Sequence, residues 1–221
     1  MTWQDLGNGV SLYTYANKFA GKANAYAVDI GGGRIAVVSP SQNTPAEIFA
    51  AVEARGTVAA LIAPGGHDLG QPEWQARYPA AETFAPTNQI AALAKKKTLR
   101  PFRPISELKV DRKDVAFVDV PGSKSGSVFF RAGTTAYVDE ILGNHDALPP
   151  NIPFKIIFAL TKSSPGLRPN NFYGMMFCSD KHAVARSMLE KLDGVDVIGF
   201  AHGEPIRAPR IDTAKGLLSA L

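Results

Sequence analysis

The stretch TVAALIAPGGHDLG, residues 57–70, decides the fold class. Val58 to Ala63 is an unbroken apolar run of strand length and reads as a buried strand. Pro64-Gly65-Gly66 ends it with a turn that delivers His67. Upstream, Thr44-Pro45-Ala46-Glu47 puts a threonine at the N-cap, proline at the first helical position and glutamate at the third. Ile48, Phe49, Ala51 and Val52 repeat behind it, which predicts a helix from residue 45 to Ala54, ended by Gly56. Strand, capped helix and strand in succession mark an α/β protein.

Before that unit the chain reads as antiparallel sheet. Gly9 to Tyr15, Ala23 to Ile30 and Arg34 to Val38 are strand-like, and Gly31-Gly32-Gly33 supplies a hairpin turn. A β-branched run follows these glycines where a dinucleotide-binding loop needs a helix, which excludes that motif. Further on, Glu73 to Tyr78 and Thr87 to Lys95 are expected to be helical, and Val115 to Val120 to be a strand ending in Pro121-Gly122. Ser127 to Arg131 and Thr135 to Val138 form a hairpin around Ala132-Gly133 and deliver Asp139. Residues 144–171 read as a long connection carrying one helix within Phe154 to Leu160. Lys181 to Leu192 is helical, Val195 to Phe200 is a strand leading to His202-Gly203-Glu204-Pro205, and Thr213 to Ala220 is a closing helix. With no repeat, low-complexity tract or linker, residues 1–221 are expected to form a single domain.

Composition narrows the function classes. A chain of 221 residues with 45% hydrophobic content can bury one sizeable core. No apolar run approaches the length of a membrane span, and the N-terminal segment lacks the basic and apolar regions of a secretion signal. The expectation is a soluble cytoplasmic protein with no membrane partner. Cys178, the single cysteine, excludes an intramolecular disulfide and a thiolate-rich zinc site, and beside Met175, Met176 and Phe177 it reads as a packed residue. Net charge is +4, with one basic run at Lys95-Lys96-Lys97 and Arg100 and Arg103 nearby. No aromatic residues interleave with it, so a nucleic-acid partner is not expected. Ser123, Ser125 and Ser127 cluster around Lys124 without a Gly-x-Ser-x-Gly elbow, and no catalytic nucleophile is assigned. The expected partner is a small-molecule substrate of unspecified identity, and oligomeric state stays open, a homo-oligomer included.

Three potential metal ligands follow apolar strands: His67 after LIAPGG, Asp139 after TTAYV and His202 after VIGFA. Imidazole and carboxylate suit zinc, iron or manganese, and two histidines with one aspartate leave positions for water. Their spacing makes no motif, so the residues by themselves permit a metal site and equally permit capping or surface histidines. Trp74, Tyr78 and Phe84 either line a pocket or pack in the core, and Tyr173 either offers a hydroxyl to the site or packs likewise. Asn144-His145-Asp146 reads as a polar loop with the alternative of replacement ligands, and His182 as a surface residue.

In order and kind, these features resemble the metallo-β-lactamase superfamily, whose fold is a four-layer αββα sandwich with a metal site at one edge. Ala63-Pro64-Gly65-Gly66-His67-Asp68-Leu69-Gly70 stands where that family carries His-x-His-x-Asp-His. Pro121-Gly122-Ser123-Lys124-Ser125-Gly126-Ser127 stands at its Pro-Gly-His turn with Ser123 in place of the histidine, Val138-Asp139 at its Gly-Asp pair, and Ala201-His202-Gly203 at its late Gly-His-Gly. The resemblance implies that the three histidines of one metal are absent, while His67, Asp139 and His202 remain for the other. The segment's aspartate is missing too, and Asp68 is displaced from its place. By this resemblance the chain is expected to be a divergent metallo-hydrolase-like protein with at most one divalent ion, zinc, iron or manganese, whose bound water attacks an ester, thioester or amide. The alternative is a non-catalytic binding protein on a decayed scaffold, with no ion at all. Nucleic-acid processing, known in some relatives, would need a basic stripe that Lys95 to Lys97 does not supply.

Overall fold

A computed structural model describes residues 2–221. The first half builds a seven-stranded sheet in sequence order: β1 (Gln4–Gly7), β2 (Val10–Asn17), β3 (Gly21–Gly31), β4 (Arg34–Val38), β5 (Thr57–Ile62), β6 (Glu82–Ala85) and β7 (Arg103–Pro104). Short turns join β1 to β4, so these strands pair antiparallel. Crossovers through α1 (Ala46–Glu53), α2 (Gln71–Arg77) and α3 (Ile90–Leu93) make the pairs from β4 to β7 parallel.

The second half runs β8 (Val115–Val120), β9 (Ser127–Ala132), β10 (Thr135–Tyr137), β11 (Leu142–His145), α4 (Ile152–Leu160), β12 (Gly166–Pro169), α5 (Asn171–Phe177), α6 (Lys181–Leu189), β13 (Val197–Gly199), β14 (Ile206–Arg207) and α7 (Arg210–Ser219). Five of these strands form a second sheet in the order β14-β13-β10-β9-β8, and β11 with β12 forms a separate hairpin. No helix among the described residues is long and apolar enough to cross a membrane.

Strand alternation sorts the side chains into three apolar layers. Tyr26, Val28 and Ile30 of β3 point between the sheets and meet Phe130, Ala132 and Tyr137, with the Tyr26 and Tyr137 rings 5.0 Å apart. Ala25 and Ala27 of the same strand point the other way, under Ile48, Phe49, Val52 and Trp74 from α1 and α2. On the far side, Val184, Met188 and Leu218 of α6 and α7 cover Phe129, Ala136 and Ile198. Both faces of both sheets are therefore buried, which is why the strands read as apolar runs and why the layers stack as αββα.

Two local expectations change. Helix α1 begins at Ala46 after an N-cap at Pro45 with no side-chain cap bond. Thr44 Oγ1 instead donates to the Ser41 carbonyl and accepts from Trp74 Nε1, so the threonine anchors α2 beneath α1. The connection at 144–171 does carry α4, but the hairpin strands β11 and β12 bracket it and α5 follows at once.

Candidate functional site

The ends of β5, β10 and β13 converge, and the turns leaving them carry His67, Asp139-Glu140 and His202. The two imidazole rings lie 5.1 Å apart, and the carboxylate between them belongs to Glu140. Its Oε1 is 2.6 Å from His67 Nε2 and 3.0 Å from His202 Nε2. These three donor atoms all lie within 4.8 Å of one another, the separation a single metal ion needs.

Each member of the trio is oriented from outside it. His202 Nδ1 lies 2.7 Å from the Lys22 carbonyl oxygen, which accepts its proton and turns Nε2 toward Glu140. Asn170 uses its Oδ1 to cap α5, accepting from the Tyr173 amide, and this leaves its Nδ2 to donate to Glu140 Oε2 at 3.2 Å. An Nε2 lone pair facing a carboxylate oxygen is repulsive, so each contact requires either a hydrogen carried on the imidazole nitrogen or a metal ion between the two. Burial disfavours ionisation of Glu140, yet the charges and hydrogen bonds of His202 and His67 hold its carboxyl well below the usual range. Burial likewise works against His202 as a cation, and Glu140 overrides it and raises that imidazole.

Asp139, the carboxylate expected from the sequence to face the histidines, points elsewhere. Its Oδ2 accepts from Ser127 Oγ at 2.8 Å and the Val128 amide at 3.0 Å, and its Oδ1 accepts from Tyr137 Oη at 2.8 Å. Burial, moderated by the nearby charge of His67, pushes its carboxyl up to about 6. The cause of the exchange is local. Asp139 has a φ of 50°, a left-handed conformation that breaks the strand's alternation and sends the next side chain, Glu140, into the site. The acidic pair at a strand end was the available signal; the backbone reversal within it left no mark in the pattern of apolar residues.

Asn144 and His145 lie in β11 rather than in a loop, and neither joins the trio. His145 stacks 5.8 Å from His202 and meets Phe158 edge-on. Burial, reinforced by the His202 charge, brings its pKa down to about 4, so it packs as a neutral ring. Asp146 pairs with Lys22 on the surface, Asp68 pairs with Lys96, and His182 is exposed.

Close backbone approaches fix the two histidine turns. A Cβ on Gly65 would run into the carbonyl oxygens of Ser125 and Gly126, and one on Gly203, at φ 87°, into the Asn144 carbonyl. Asn24 of β3 donates through Nδ2 to the Phe200 and Gly203 carbonyls, which clamps the His202 turn against the first sheet.

The trio opens into a cavity of about 330 Å³. One wall of it is aromatic, from Phe19, Phe154, Phe158, Phe172 and Phe177. Tyr173 lines it as well, whereas Trp74 and Phe84 are core residues and Tyr78 packs against α1, donating to Glu53. Ser123 is buried with its Oγ 2.7 Å from Tyr173 Oη, and Cys178 is buried, its thiol pushed up to about 11 mainly by that burial.

No family model matches the sequence, and no curated protein matches it. Solved structures do. The chain is similar to the DIM-1 metallo-β-lactamase at 13% identity and a TM-score of 0.67, covering 99% of this chain and 96% of that one. A metallo-β-lactamase from Hirschia baltica aligns at 13% identity and a TM-score of 0.65, over 98% of this chain and 96% of its own. The metallo-β-lactamase FIM-1 from Pseudomonas aeruginosa, in a mono-zinc form, aligns at 11% identity and a TM-score of 0.61, over 99% and 94%. These likenesses establish the fold.

Proposed function

Given a metallo-β-lactamase fold with an imidazole–carboxylate–imidazole cluster at its sheet edge, we propose that this chain is a divergent metallo-hydrolase that uses a single divalent ion on an ester, thioester or amide. The observation that carries the reading is the convergence of His67 Nε2 and His202 Nε2 on one oxygen of Glu140, at 2.6 and 3.0 Å, facing the cavity. Two imidazoles and a carboxylate suit zinc, iron or manganese and leave coordination positions free. The mono-zinc form of a structural neighbour agrees with one ion on this scaffold. Nothing equivalent is available for a second: among the described residues there is one such cluster, and Ser123 Oγ is engaged with Tyr173.

His67, Glu140 and His202 would hold the ion. When bound, it supplies an acidified water as nucleophile and polarises the carbonyl under attack. Lys22 and Asn170 keep the His202 and Glu140 donor atoms aimed inward, so little side-chain freedom is lost on binding. The aromatic wall gives the cavity beside the trio an apolar lining. Asp139 remains outside the donor set and braces the turn through Ser127 and Tyr137.

Elemental analysis of the purified protein should return about one equivalent of zinc, iron or manganese, and His67→Ala and His202→Ala should each lose it together with esterase activity. Protein that takes up no ion on reconstitution overturns the reading. A second reading, a binding protein without chemistry, draws on the fact that protons alone satisfy the trio's hydrogen bonds. It predicts ligand affinity unchanged in His67→Ala and His202→Ala.

A further inference from the structure

The geometry points to a ligand whose non-reacting part is uncharged and apolar, an acyl chain or aryl ring, seated against the aromatic wall with its carbonyl at the trio. This rests on the hydrolytic reading and adds the substrate class. The five wall rings form one contiguous group: Phe154 to Phe172 at 6.0 Å, Phe158 to Phe172 at 5.8 Å, Phe172 to Phe177 at 5.8 Å and Phe19 to Phe154 at 5.7 Å. Among the described residues no lysine or arginine lines the cavity, and Glu140 is its sole carboxylate. A phosphate, sulfate or second carboxylate on the ligand would find no lysine or arginine there to pair with and would face the Glu140 carboxylate, which disfavours it.

The outside of the same limb is apolar as well. Ile152, Ile156 and Leu160 lie on the face of α4 opposite Phe154 and Phe158, and are 70%, 55% and 78% exposed. Met175 and Met176 of α5 are exposed beside the wall residue Phe177. Between Asp146 and Asp180 the sequence has no acidic residue, and its only charges are Lys155, Lys162 and Arg168, all exposed. Such a surface suits an acyl chain drawn from an anionic lipid surface, and equally an apolar ester taken from solution.

The test uses Nile red, a neutral dye, displaced by methyl octyl ketone or by the same ketone ending in a carboxylate; neither can be hydrolysed. The neutral ketone should displace the dye at a concentration about a hundredfold lower. Phe177→Asp and Phe19→Asp, at positions 40% and 39% exposed where folding tolerates the change, should each weaken the neutral ketone more than about tenfold, and Phe177→Leu less than about threefold. Equal displacement by the two ketones, or wild-type affinity in both aspartate variants, overturns the inference. Cosedimentation with vesicles of equal parts phosphatidylcholine and phosphatidylglycerol assigns the lipid surface as source, and dye displacement without cosedimentation assigns a dissolved ester; both keep the apolar chemistry. Because displacement needs neither ion nor turnover, preferential ketone binding by protein that takes up no ion and hydrolyses nothing defeats the hydrolytic reading alone. Ester hydrolysis with no preference for the uncharged ketone defeats this inference alone.

Discussion

Glu140→Gln separates the carboxylate that meets the histidines from its neighbour. The substitution preserves size but removes the charge that His67 and His202 face at 2.6 and 3.0 Å. Removing one partner of a buried pair costs about 3–5 kcal/mol, and the lower end applies here because His202 can shed its proton once the carboxylate is gone. The side chain is 15% exposed, which also favours the lower end. For a chain of 221 residues, about 3 kcal/mol lowers Tm by roughly 6–12 °C. Zinc gives the sharper readout. At about 100 times its Kd it should stabilise the wild type by about 2.7 kcal/mol, roughly 5–10 °C in Tm. In Glu140→Gln that zinc-dependent rise should disappear. Asp139→Asn should lower Tm as well, since Ser127, Val128 and Tyr137 lose an ionised acceptor worth about 1–3 kcal/mol, while retaining the zinc-dependent rise. Differential scanning calorimetry on the three proteins, with and without zinc, reads both effects. A zinc response kept by Glu140→Gln and lost by Asp139→Asn would refute the reasoning and return the ligand role to Asp139.

Gly65→Ala forces the turn before His67 away from the Ser125 and Gly126 carbonyls, so it should weaken zinc binding more than about tenfold by titration calorimetry although it touches no ligand; unchanged affinity would show that the turn does not aim His67. Burial raises the Cys178 thiol to about 11, so its thiolate forms only as pH rises toward that value; at pH 8 labelling by dithionitrobenzoate should be more than about a hundredfold slower in the folded protein than in urea, and fast native labelling would contradict the packing described. Tyr26→Phe deprives the buried Phe200 carbonyl of a donor at 2.7 Å between the two sheets, and urea denaturation should report a loss of about 1–3 kcal/mol; no loss would mean that water or Asn24 alone satisfies that carbonyl.

Much of the fold was legible because burial on both faces leaves long apolar runs. β3, β4 and β5 carry such runs between glycine and proline breaks, and α1 follows from Ile48, Phe49 and Val52. The elements that left no mark are very short or are built from residues that favour turns. β7 is Arg103–Pro104, two residues paired with Phe84 and Ala85, and β14 is Ile206–Arg207, two residues paired with β13. Neither is long enough to show a period. The β11–β12 hairpin is interrupted by α4, and Gly143, Asn144, Gly166 and Pro169 are turn formers by propensity that here serve in strands. Thr44 shows the reverse case: a good local capping signal was overridden by Trp74, whose indole N–H needed an acceptor once the ring was fully buried.

At the site, strand ends predict which turns converge, and side-chain aim is decided one residue at a time. His67 and His202 follow β5 and β13, strands of different sheets, and their turns are brought together where the sheets stack, with Asn24 of β3 clamping the His202 turn. Asp139 and Glu140 share one turn, and a single left-handed φ decides which of them faces the histidines. That φ is sustained because both Asp139 oxygens are already engaged, by Ser127 and Val128 from β9 and by Tyr137 from β10. The core-facing carboxylate thus fixes the turn that presents the site-facing one. The division of labour explains why a buried acid stands beside the trio: Asp139 braces the turn from within, and Glu140 reaches out of the same turn to the histidines.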